Sequence, residues 1–373
     1  MMAMRFVSAR ASRLLAASLS LLTALSSTLH AEEERTDLVY RLPTENDALF
    51  RGDMEGFYMY CDRTFEDVHS QPWEAGSYGM VRNPFRASDQ KVMFSRFHEG
   101  IDIKPMRRDA AGEPLDEVRP IAPGRVVYAC ARPGLSNYGR YVVVAHEVPE
   151  GTIYSLYAHL ARVDAKEGQV VGTGNVLGLL GHSGAGINRV RSHCHLEVCM
   201  LINENYDRFA PKSNKHGIYN GLNLVGVNAA DLLMACRNGE PFSFSRYVSS
   251  LPEHYRVRVP CKGPIDLLVR YPFLYKGSWN PCPPSIDLAF TAEGVPIGAW
   301  PAQEKVSRPK VISCKPMPTW QQNCTVNRVR NSSKNPALTV SGLRYLNTYL
   351  HSPADVPPPS GDVEEADTEP NEE

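Results

Sequence analysis

The chain lacks a strong charge of either sign. Its 373 residues include 40 Lys and Arg against 41 Asp and Glu, a formal net charge of −1, and no long basic run. Nucleic-acid-binding domains concentrate positive charge, because contacts with phosphates supply most of their affinity. The composition therefore argues against nucleic acid as a partner.

The chain also lacks the helical pattern of an α/β protein. From residue 78 to 200, short β-branched and aromatic runs alternate with Gly, Pro and Asn turns rather than with helices of about 10 to 15 residues. This pattern predicts a largely antiparallel β domain and disfavours a doubly wound sheet. The predicted strands are Arg125 to Ala131, Tyr141 to His146, Thr152 to Ala158, Val176 to Leu180 and His193 to Met200.

The apolar run near the N-terminus, Leu14 to Leu29, is short for a membrane span. Three arginines precede it, and Ala31 and three glutamates follow it, so residues 1–31 are interpreted as a secretory signal peptide. A single membrane anchor is the alternative. Cleavage predicts an exported chain, periplasmic or extracellular, without a stable membrane span.

Two histidines separated by one residue stand in the stretch Ser192-His193-Cys194-His195-Leu196-Glu197. The alternation predicts a strand that presents His193 and His195 on one face. Imidazole is the commonest protein ligand for zinc, so one of the pair could hold a metal ion while the other reaches a water or substrate. By itself an H-x-H pattern is weak evidence.

Two further motifs contain candidate partners. In His98-Glu99-Gly100-Ile101-Asp102, a straight strand would hold positions 98 and 102 about 13 Å apart, and Gly100 argues against a helix. We expect a turn at Glu99-Gly100 that brings His98 over the strand, with positive φ at Gly100. An ordinary turn-to-strand junction is the alternative. His159, in Tyr157-Ala158-His159-Leu160, ends an apolar strand and could face a cleft or be purely structural, while His146 and His182 are taken as structural or rim residues.

The nine cysteines are expected to pair in an oxidising compartment. Cys261, Cys282, Cys314 and Cys324 cluster late in the chain and predict two local disulfides, with three pairings open. The odd count leaves at least one thiol unpaired. We expect this to be Cys194, because alternation points it into the packed back of the sheet. The alternative, Cys194 as a zinc ligand, would need the opposite face.

The three histidine motifs, in this order and with these intervals, resemble the lysostaphin/LytM-like zinc metallopeptidases. Surrounding segments agree, among them Gly79 to Pro84, Ile121 to Val126 and Gly181-His182-Ser183-Gly184. The resemblance covers roughly residues 78–235. The sequence departs from the family at Cys194, where Leu is usual, in a longer stretch from Met106 to Arg119, and in an insertion from Asn203 to Asn220.

The resemblance implies a mainly β, antiparallel metallopeptidase domain with an open groove and one zinc ion per chain. The implied metal ligands are His98, Asp102 and His195, with a fourth position open for water. The implied catalytic residues are His159 and His193, one as base and the other steadying the oxyanion or protonating the leaving amine, in an order left open. The implied function is a zinc endopeptidase that hydrolyses cross-links or stem peptides of bacterial peptidoglycan.

The alternative function is a non-catalytic or autoinhibited relative that binds the cell wall or regulates another wall hydrolase. In such a relative, the N-terminal extension or the insertion could lie across the groove. A zinc protease aimed at proteins is a third possibility. The sequence leaves the oligomeric state open.

Five segments are predicted along the chain. Residues 1–31 are the signal peptide, 32–75 an N-terminal extension packed on the next domain, and 76–238 the metallopeptidase domain. Residues 239–352 are a smaller β-rich accessory domain of unknown role, with disulfides, strands at Ile265 to Val269 and Ile286 to Phe290, and a helix from Leu343 to Leu350. Residues 353–373 are acidic and Pro-rich and are expected to be disordered.

Overall fold

The structure is a computed structural model that describes residues 35–59, 64–69, 75–86, 90–208, 210–315, 323–324, 328–330 and 335–350. The predicted signal peptide and the predicted disordered tail lie outside the described residues. Within these ranges, no helix has both the length and the apolar character needed to cross a membrane. From Asp37 onward the described residues form one compact unit.

Strands dominate the described residues from 64 to 227. In chain order they are β1 (Thr64–Phe65), β2 (Val68–His69), β3 (Gly79–Arg86), β4 (Val92–His98), β5 (Ile101–Ile103), β6 (Glu117–Val118), β7 (Gly124–Cys130), β8 (Tyr141–Val148), β9 (Gly151–Ala158), β10 (Arg162–Val163), β11 (Val170–Val171), β12 (Gly178–Leu179), β13 (Cys194–Leu201) and β14 (Leu224–Val227). Each of their pairings is antiparallel. The predicted mainly β, antiparallel fold is confirmed.

A seven-stranded sheet brings the three histidine motifs together. Its order is β11-β7-β8-β9-β13-β14, and β5 pairs with β13 as well. His195 stands opposite Ala158 on one side and opposite Asp102 on the other. All eight residues of β13 are buried. The register of this central strand therefore places His195 beside Asp102.

The sheet is covered on both faces. Along β13, alternate side chains such as Leu196 and Val198 enter the main core, while Cys199 and Leu201 face a second cluster, as the two-residue period of a strand requires. This second cluster contains Tyr141. Tyr219, a residue of the predicted insertion, packs against it. The insertion therefore packs on the same sheet face as the side chains of His195 and Glu197.

The first histidine motif folds as a turn between two strands, as predicted. β4 ends at His98 and β5 begins at Ile101. The expectation of positive φ at Gly100 is wrong, because this residue is not among those with left-handed backbone. Glycine is needed for space instead: a Cβ atom there would lie 2.6 Å from the Leu196 carbonyl oxygen and 2.9 Å from His195 Nε2.

The C-terminal region contains a second sheet. Its strands, β15 (Tyr255–Pro260), β16 (Ser285–Phe290), β17 (Pro296–Ala302) and β18 (Lys310–Cys314), pair in the order β17-β16-β15-β18. Three short strands, β19 (Asn323–Cys324), β20 (Val329–Arg330) and β21 (Ala337–Leu338), form a separate sheet. The predicted strand at Ile286 to Phe290 is confirmed.

Helices are short throughout the described residues. The α-helices are α1 (Met54–Phe57), α2 (Ala229–Ala235), α3 (Phe244–Ser250), α4 (Asp266–Arg270) and α5 (Val340–Leu350). The 3-10 turns are Ala48–Arg51, Arg189–Arg191, Tyr206–Arg208, Gly217–Tyr219, Gly221–Asn223 and Pro272–Leu274. The predicted closing helix is therefore confirmed, with its start three residues earlier than Leu343.

The predicted strand at Ile265 to Val269 is wrong, because this stretch forms α4. A short apolar run has no period that separates a buried strand from a buried helix. Helix geometry is favoured here by an ion pair between Asp266 and Arg270, which lie four residues apart. It also buries Leu267 and Leu268 in the core.

The segment after α4 is hydrogen-bonded to the end of the central sheet. The Tyr271 hydroxyl donates to the Thr152 carbonyl at 2.7 Å and accepts from the Leu201 amide at 3.0 Å. The Arg270 guanidinium donates to the Leu201 carbonyl at 2.7 Å. The two regions therefore share hydrogen bonds as well as a core, while the exact domain boundaries stay a prediction.

The described part of the N-terminal extension runs beside β5. The Met59 amide donates to the Asp102 carbonyl at 2.8 Å, and the Lys104 amide donates to the Phe57 carbonyl at 2.9 Å. The backbone of the Asp102 strand is thereby held on its outer edge by residues 57–59.

Candidate metal centre

Three side-chain atoms from the predicted ligand set converge on one point. His98 Nε2 lies 3.1 Å from His195 Nδ1 and 3.2 Å from Asp102 Oδ1, and His195 Nδ1 lies 2.9 Å from the same carboxylate oxygen. The three residues are between 1% and 4% exposed. They form a His-Asp-His group that could hold a metal ion.

The hydrogen bonds of the two imidazoles determine which nitrogen faces this point. His98 Nδ1 lies 2.8 Å from the Ser77 carbonyl oxygen, which can only accept, so Nδ1 carries the proton and Nε2 is left as a ligand. His195 Nε2 lies 3.0 Å from Glu197 Oε1, and donation to this carboxylate leaves Nδ1 as a ligand. Both rings are therefore oriented by partners on the side away from the centre.

The carboxylate of Asp102 is held by Arg82, which donates from Nη2 to Oδ2 at 2.7 Å. Burial opposes ionisation, but the neighbouring His193, His98 and Arg82 keep the pKa of Asp102 well below its usual range. Oδ2 is thus engaged by the guanidinium while Oδ1 faces the two imidazole nitrogens. An ionised carboxylate with one oxygen directed inward is suited to bind a cation.

A second carboxylate lies behind His195. Glu197 Oε1 accepts from His195 Nε2 and from the Tyr138 hydroxyl, the latter at 2.5 Å. Burial lowers the pKa of His195, but hydrogen bonds to Asp102 and Glu197 outweigh it and raise the pKa to about 10, so a metal ion would have to displace the proton from Nδ1 in order to bind there. A second group of nearby ligand atoms comes from Glu99, His195 and Glu197. In this group, however, Oε1 of Glu197 already accepts from Tyr138 and His195.

The predicted catalytic histidines lie against the same centre. Their ring centroids are 4.7 Å apart, and His193 Nε2 is 3.4 Å from Asp102 Oδ1. His159 Nδ1 donates to the Ser183 carbonyl at 2.9 Å, and His193 Nδ1 donates to the Arg191 carbonyl at 2.6 Å. Each neutral ring therefore keeps Nε2 as a proton acceptor.

The electrostatics of these two rings favour the neutral form. Burial lowers the pKa of His193. Burial, together with His193 and His195, lowers the pKa of His159 well below its ordinary value.

His159 also has an unusual backbone conformation, with φ of +61°. Such left-handed backbone is uncommon outside glycine and clusters at functional sites.

The donor set fits zinc. A tetrahedral zinc ion with bonds near 2.0 Å separates its ligand atoms by about 3.3 Å, and the three atoms here are 2.9 to 3.2 Å apart. Two imidazole nitrogens with one carboxylate oxygen are common zinc ligands, and three protein ligands leave one coordination position for water or substrate.

The other residues discussed from the sequence lie outside this centre. Cys194 is a free, fully buried thiol in the main core, on the sheet face opposite the histidines, as predicted. His146 is structural: Nδ1 donates to the Pro123 carbonyl at 2.8 Å and Nε2 lies 2.7 Å from Ser155 Oγ. His182 lies at a rim, 3.0 Å from Glu113.

The sequence interpretation missed Glu197, Tyr138 and Arg82 as parts of the site. Glu197 could have been found, because it continues the two-residue alternation that places His193 and His195 on one face. Tyr138 lies in a turn, and Arg82 precedes Asp102 by 20 residues on another strand. No local pattern connects either of them to the ligands.

Antiparallel strands thus bring together a His-Asp-His group that could hold a metal ion and two further histidines. Residues 96–207 match peptidase family M23. These residues thus form an M23 peptidase domain, in a family that usually comprises zinc-dependent peptidoglycan endopeptidases and includes inactive members.

Solved structures of this type are similar to the chain. A zinc-containing peptidase from Vibrio cholerae is 23% identical, with a TM-score of 0.24, over 38% of this chain and 36% of that chain. The catalytic domain of lysostaphin from Staphylococcus simulans is 24% identical, with a TM-score of 0.22, over 32% of this chain and 76% of that one.

The prophage-encoded M23 protein EnpA from Enterococcus faecalis, in a mutant form of its catalytic domain, is 21% identical, with a TM-score of 0.22, over 35% of this chain and 83% of that one. The chain therefore spans about a third of the Vibrio protein and most of the other two domains. No curated protein matches it.

Proposed function

We propose that the chain is a zinc endopeptidase that hydrolyses peptide cross-links or stem peptides of bacterial peptidoglycan. His98, Asp102 and His195 would hold the ion. The observation that carries this proposal is the convergence of three ligand atoms, each oriented by a partner behind it, beside two histidines that keep an accepting nitrogen.

The chemistry of the site follows from its residues. When bound, zinc supplies a Lewis acid that polarises a carbonyl group and acidifies a water molecule. Of the neutral pair His159 and His193, one accepts the proton of the attacking water at Nε2. The other ring must first take a proton from solvent at Nε2, and it can then donate a hydrogen bond to the oxyanion or the proton to the leaving amine. The backbone carbonyls on Nδ1 hold each ring in the tautomer that this role requires.

The test is muropeptide release from purified sacculi by the mature full chain, with zinc content measured on the same sample. His193→Ala is expected to retain zinc and to lose about 100- to 10,000-fold in rate, the usual contribution of a general acid or base. His195→Ala is expected to lose zinc. His254→Ala, in the C-terminal region, is the matched control and should keep both.

One observation supports the alternative of an autoinhibited or non-catalytic relative. The candidate ligands are almost fully buried, and residues 216–221 pack on the sheet face that carries His195 and Glu197. A chain that binds zinc but releases no peptide from sacculi would favour this alternative. Cleavage of casein with sacculi left intact would instead favour a protease of proteins.

We propose further that the chain is exported and that Cys261 and Cys282 form one of its two local disulfides. Export is supported by the signal-peptide pattern of residues 1–31. The pairing is supported by the two Sγ atoms, which lie 3.3 Å apart, although no disulfide joins any cysteines whose side chains the structure describes. The second local disulfide would then join Cys314 to Cys324.

A further inference from the structure

A cleft of about 480 Å³ has in its wall Ser183, whose carbonyl accepts a hydrogen bond from His159. Its lining includes Pro133, Gly134, Arg140, His182 and Ser183. His182 is paired with Glu113 at 3.0 Å, so its side chain has a local partner. Arg140 is the lining residue that carries a permanent positive charge.

Ser183 connects the cleft wall to His159. The His159 ring donates from Nδ1 to the Ser183 carbonyl, and the Ser183 amide donates to the His159 carbonyl at 3.3 Å. The Ser183 hydroxyl accepts from the Arg140 amide at 2.9 Å. A ligand in this cleft would therefore lie beside a histidine that we assign to catalysis.

The loops that form this wall pack backbone against backbone. A Cβ atom on Gly139 would lie 2.4 Å from the Ser183 carbonyl carbon, and one on Gly184 would lie 2.0 Å from the Asn137 carbonyl oxygen. Both glycines have positive φ. Such close approach leaves little room for the loops to shift, so the wall is preorganised for binding.

The guanidinium of Arg140 is oriented but not neutralised. Its Nε donates to the Ala131 carbonyl at 3.1 Å. Neither Nη atom has a partner among the residues that the structure describes. A guanidinium in this arrangement presents a planar pair of donors, which is the geometry that a carboxylate accepts with two parallel hydrogen bonds.

We propose that Arg140 binds a carboxylate of the peptide substrate in the cleft beside His159. This assignment rests on the proposed peptidase function and deepens it, because it names an acidic stem peptide as the preferred substrate. Stem peptides can carry such a group on the glutamyl residue or on the diamino acid, and either group can be amidated. The shared chemistry is a carboxylate, and the experiment distinguishes the two positions.

The experiment compares synthetic cross-linked stem peptides in which the glutamyl carboxylate, or the second carboxylate of the diamino acid, is either free or a carboxamide. For the wild-type chain we expect kcat/KM to be about tenfold or more higher with the free acid at one of these positions, mainly through KM, as expected for a charge-assisted bidentate pair. Arg140→Gln should reduce this ratio to near one, and Arg140→Lys should restore part of it.

Arg125→Gln is the matched control, since this exposed arginine lies on β7 and donates to the Gly168 carbonyl. It should keep the full preference of the wild type for the acid. Equal cleavage of the acid and amide peptides by the wild-type chain would overturn the role of Arg140 while leaving the peptidase proposal intact.

A binding measurement separates this inference from the proposed function. The same uncleaved peptides are titrated by calorimetry into His193→Ala, with and without Arg140→Gln. Tighter binding of the acid peptide that depends on Arg140 would support the carboxylate site even if the wild-type chain cleaves nothing. Equal affinity for acid and amide, or no binding of either, would overturn it.

Discussion

The Tyr138 hydroxyl donates to Glu197 Oε1 at 2.5 Å, and the same oxygen accepts from the imidazole of His195. One carboxylate oxygen therefore connects Tyr138, a turn residue, to Nε2 of His195, the ring nitrogen that points away from the candidate metal position. Partners of this kind fix the tautomer and orientation of a metal-binding histidine and are important for metal affinity.

Replacement of either partner should weaken zinc binding. We expect Glu197→Gln and Tyr138→Phe each to lower zinc affinity by about 10- to 100-fold, because the His195 ring loses part of what holds Nδ1 toward the ion. Competition with a chromogenic chelator measures the affinity without depending on activity.

Tyr154→Phe provides the control for this prediction. Tyr154 belongs to the same cluster on the sheet face as Tyr138, but its hydroxyl is outside the Glu197 network. Its removal should leave zinc affinity at the wild-type value. If all three variants bound zinc as tightly as the wild type, Glu197 would have no role in positioning His195.

Gly221, which directly follows the predicted insertion, should influence the metal site. A Cβ atom on this residue would lie 2.4 Å from the Tyr138 hydroxyl oxygen, so Gly221→Ala should displace the tyrosine from Glu197. We expect a loss of zinc affinity similar to that of Tyr138→Phe, and a double variant that loses less than the sum of the two.

Gly174→Ala is the matched substitution, since a Cβ atom there would meet no atom within 4 Å. The same chelator competition applies to all of these chains. Full additivity of Gly221→Ala and Tyr138→Phe would mean that the two residues act on zinc binding independently.

The placement of the histidine motifs could be predicted from the sequence more fully than the C-terminal region, for physical reasons. Alternation along β13 is a local signal, and it correctly placed His193 and His195 on one face and Cys194 on the other. The position of His98 depended on a turn that Gly100 marked. Glycine is needed there because the Leu196 carbonyl and the His195 ring leave no room for a Cβ atom, and not because of its backbone angle.

Contacts between distant residues could not be predicted in this way. Arg82 meets Asp102 because a hairpin register brings its strand to the site, and Tyr138 in its turn meets Glu197 on β13. For Ile265 to Val269, burial and an ion pair between Asp266 and Arg270 select the helix, and a short apolar run contains no period to reveal that choice.

Acid should destabilise the fold through His146, which lies away from the metal centre. Burial lowers the pKa of this imidazole from 6.5 to about 4. Between these pH values the unfolded chain binds more protons than the folded one, so the free energy of unfolding falls as pH falls. The stability that the neutral His146 ring contributes is complete above pH 6.5, and roughly 3 kcal/mol of the free energy of unfolding is lost by pH 4.

Urea denaturation between pH 7.5 and 4.5 checks this expectation against His146→Asn, which keeps a donor near the Pro123 carbonyl but does not titrate. The stability advantage of the wild type over the variant should narrow as the solution becomes acidic. An advantage that stays constant with pH would show that His146 is not the titrating group.

Oxidation should join Cys261 to Cys282. Both thiols lose a proton and an electron to the oxidant as the bond forms, and closure of the intervening loop should stabilise the fold by roughly 3 kcal/mol. Non-reducing peptide mapping of the chain purified from an oxidising compartment should recover one linked pair. Cys282→Ser should remove it, and Cys130→Ser should not.

Recovery of both cysteines as alkylated thiols, without prior reduction, would contradict this pairing. A linked peptide that joined Cys261 to Cys314 would contradict it too, and would select another of the three possible connectivities.

The Tyr271 hydroxyl bridges the Thr152 carbonyl of β9 and the Leu201 amide of β13. It satisfies two backbone groups at the end of these paired strands. Removing the C-terminal region would leave these backbone groups without the Tyr271 hydroxyl, at the end of the strand that contains His195. The half of the chain that contains the candidate ligands is therefore not independent of the rest: a shortened chain would keep the ligands but lose the hydrogen bonds by which Tyr271 closes the end of their strand.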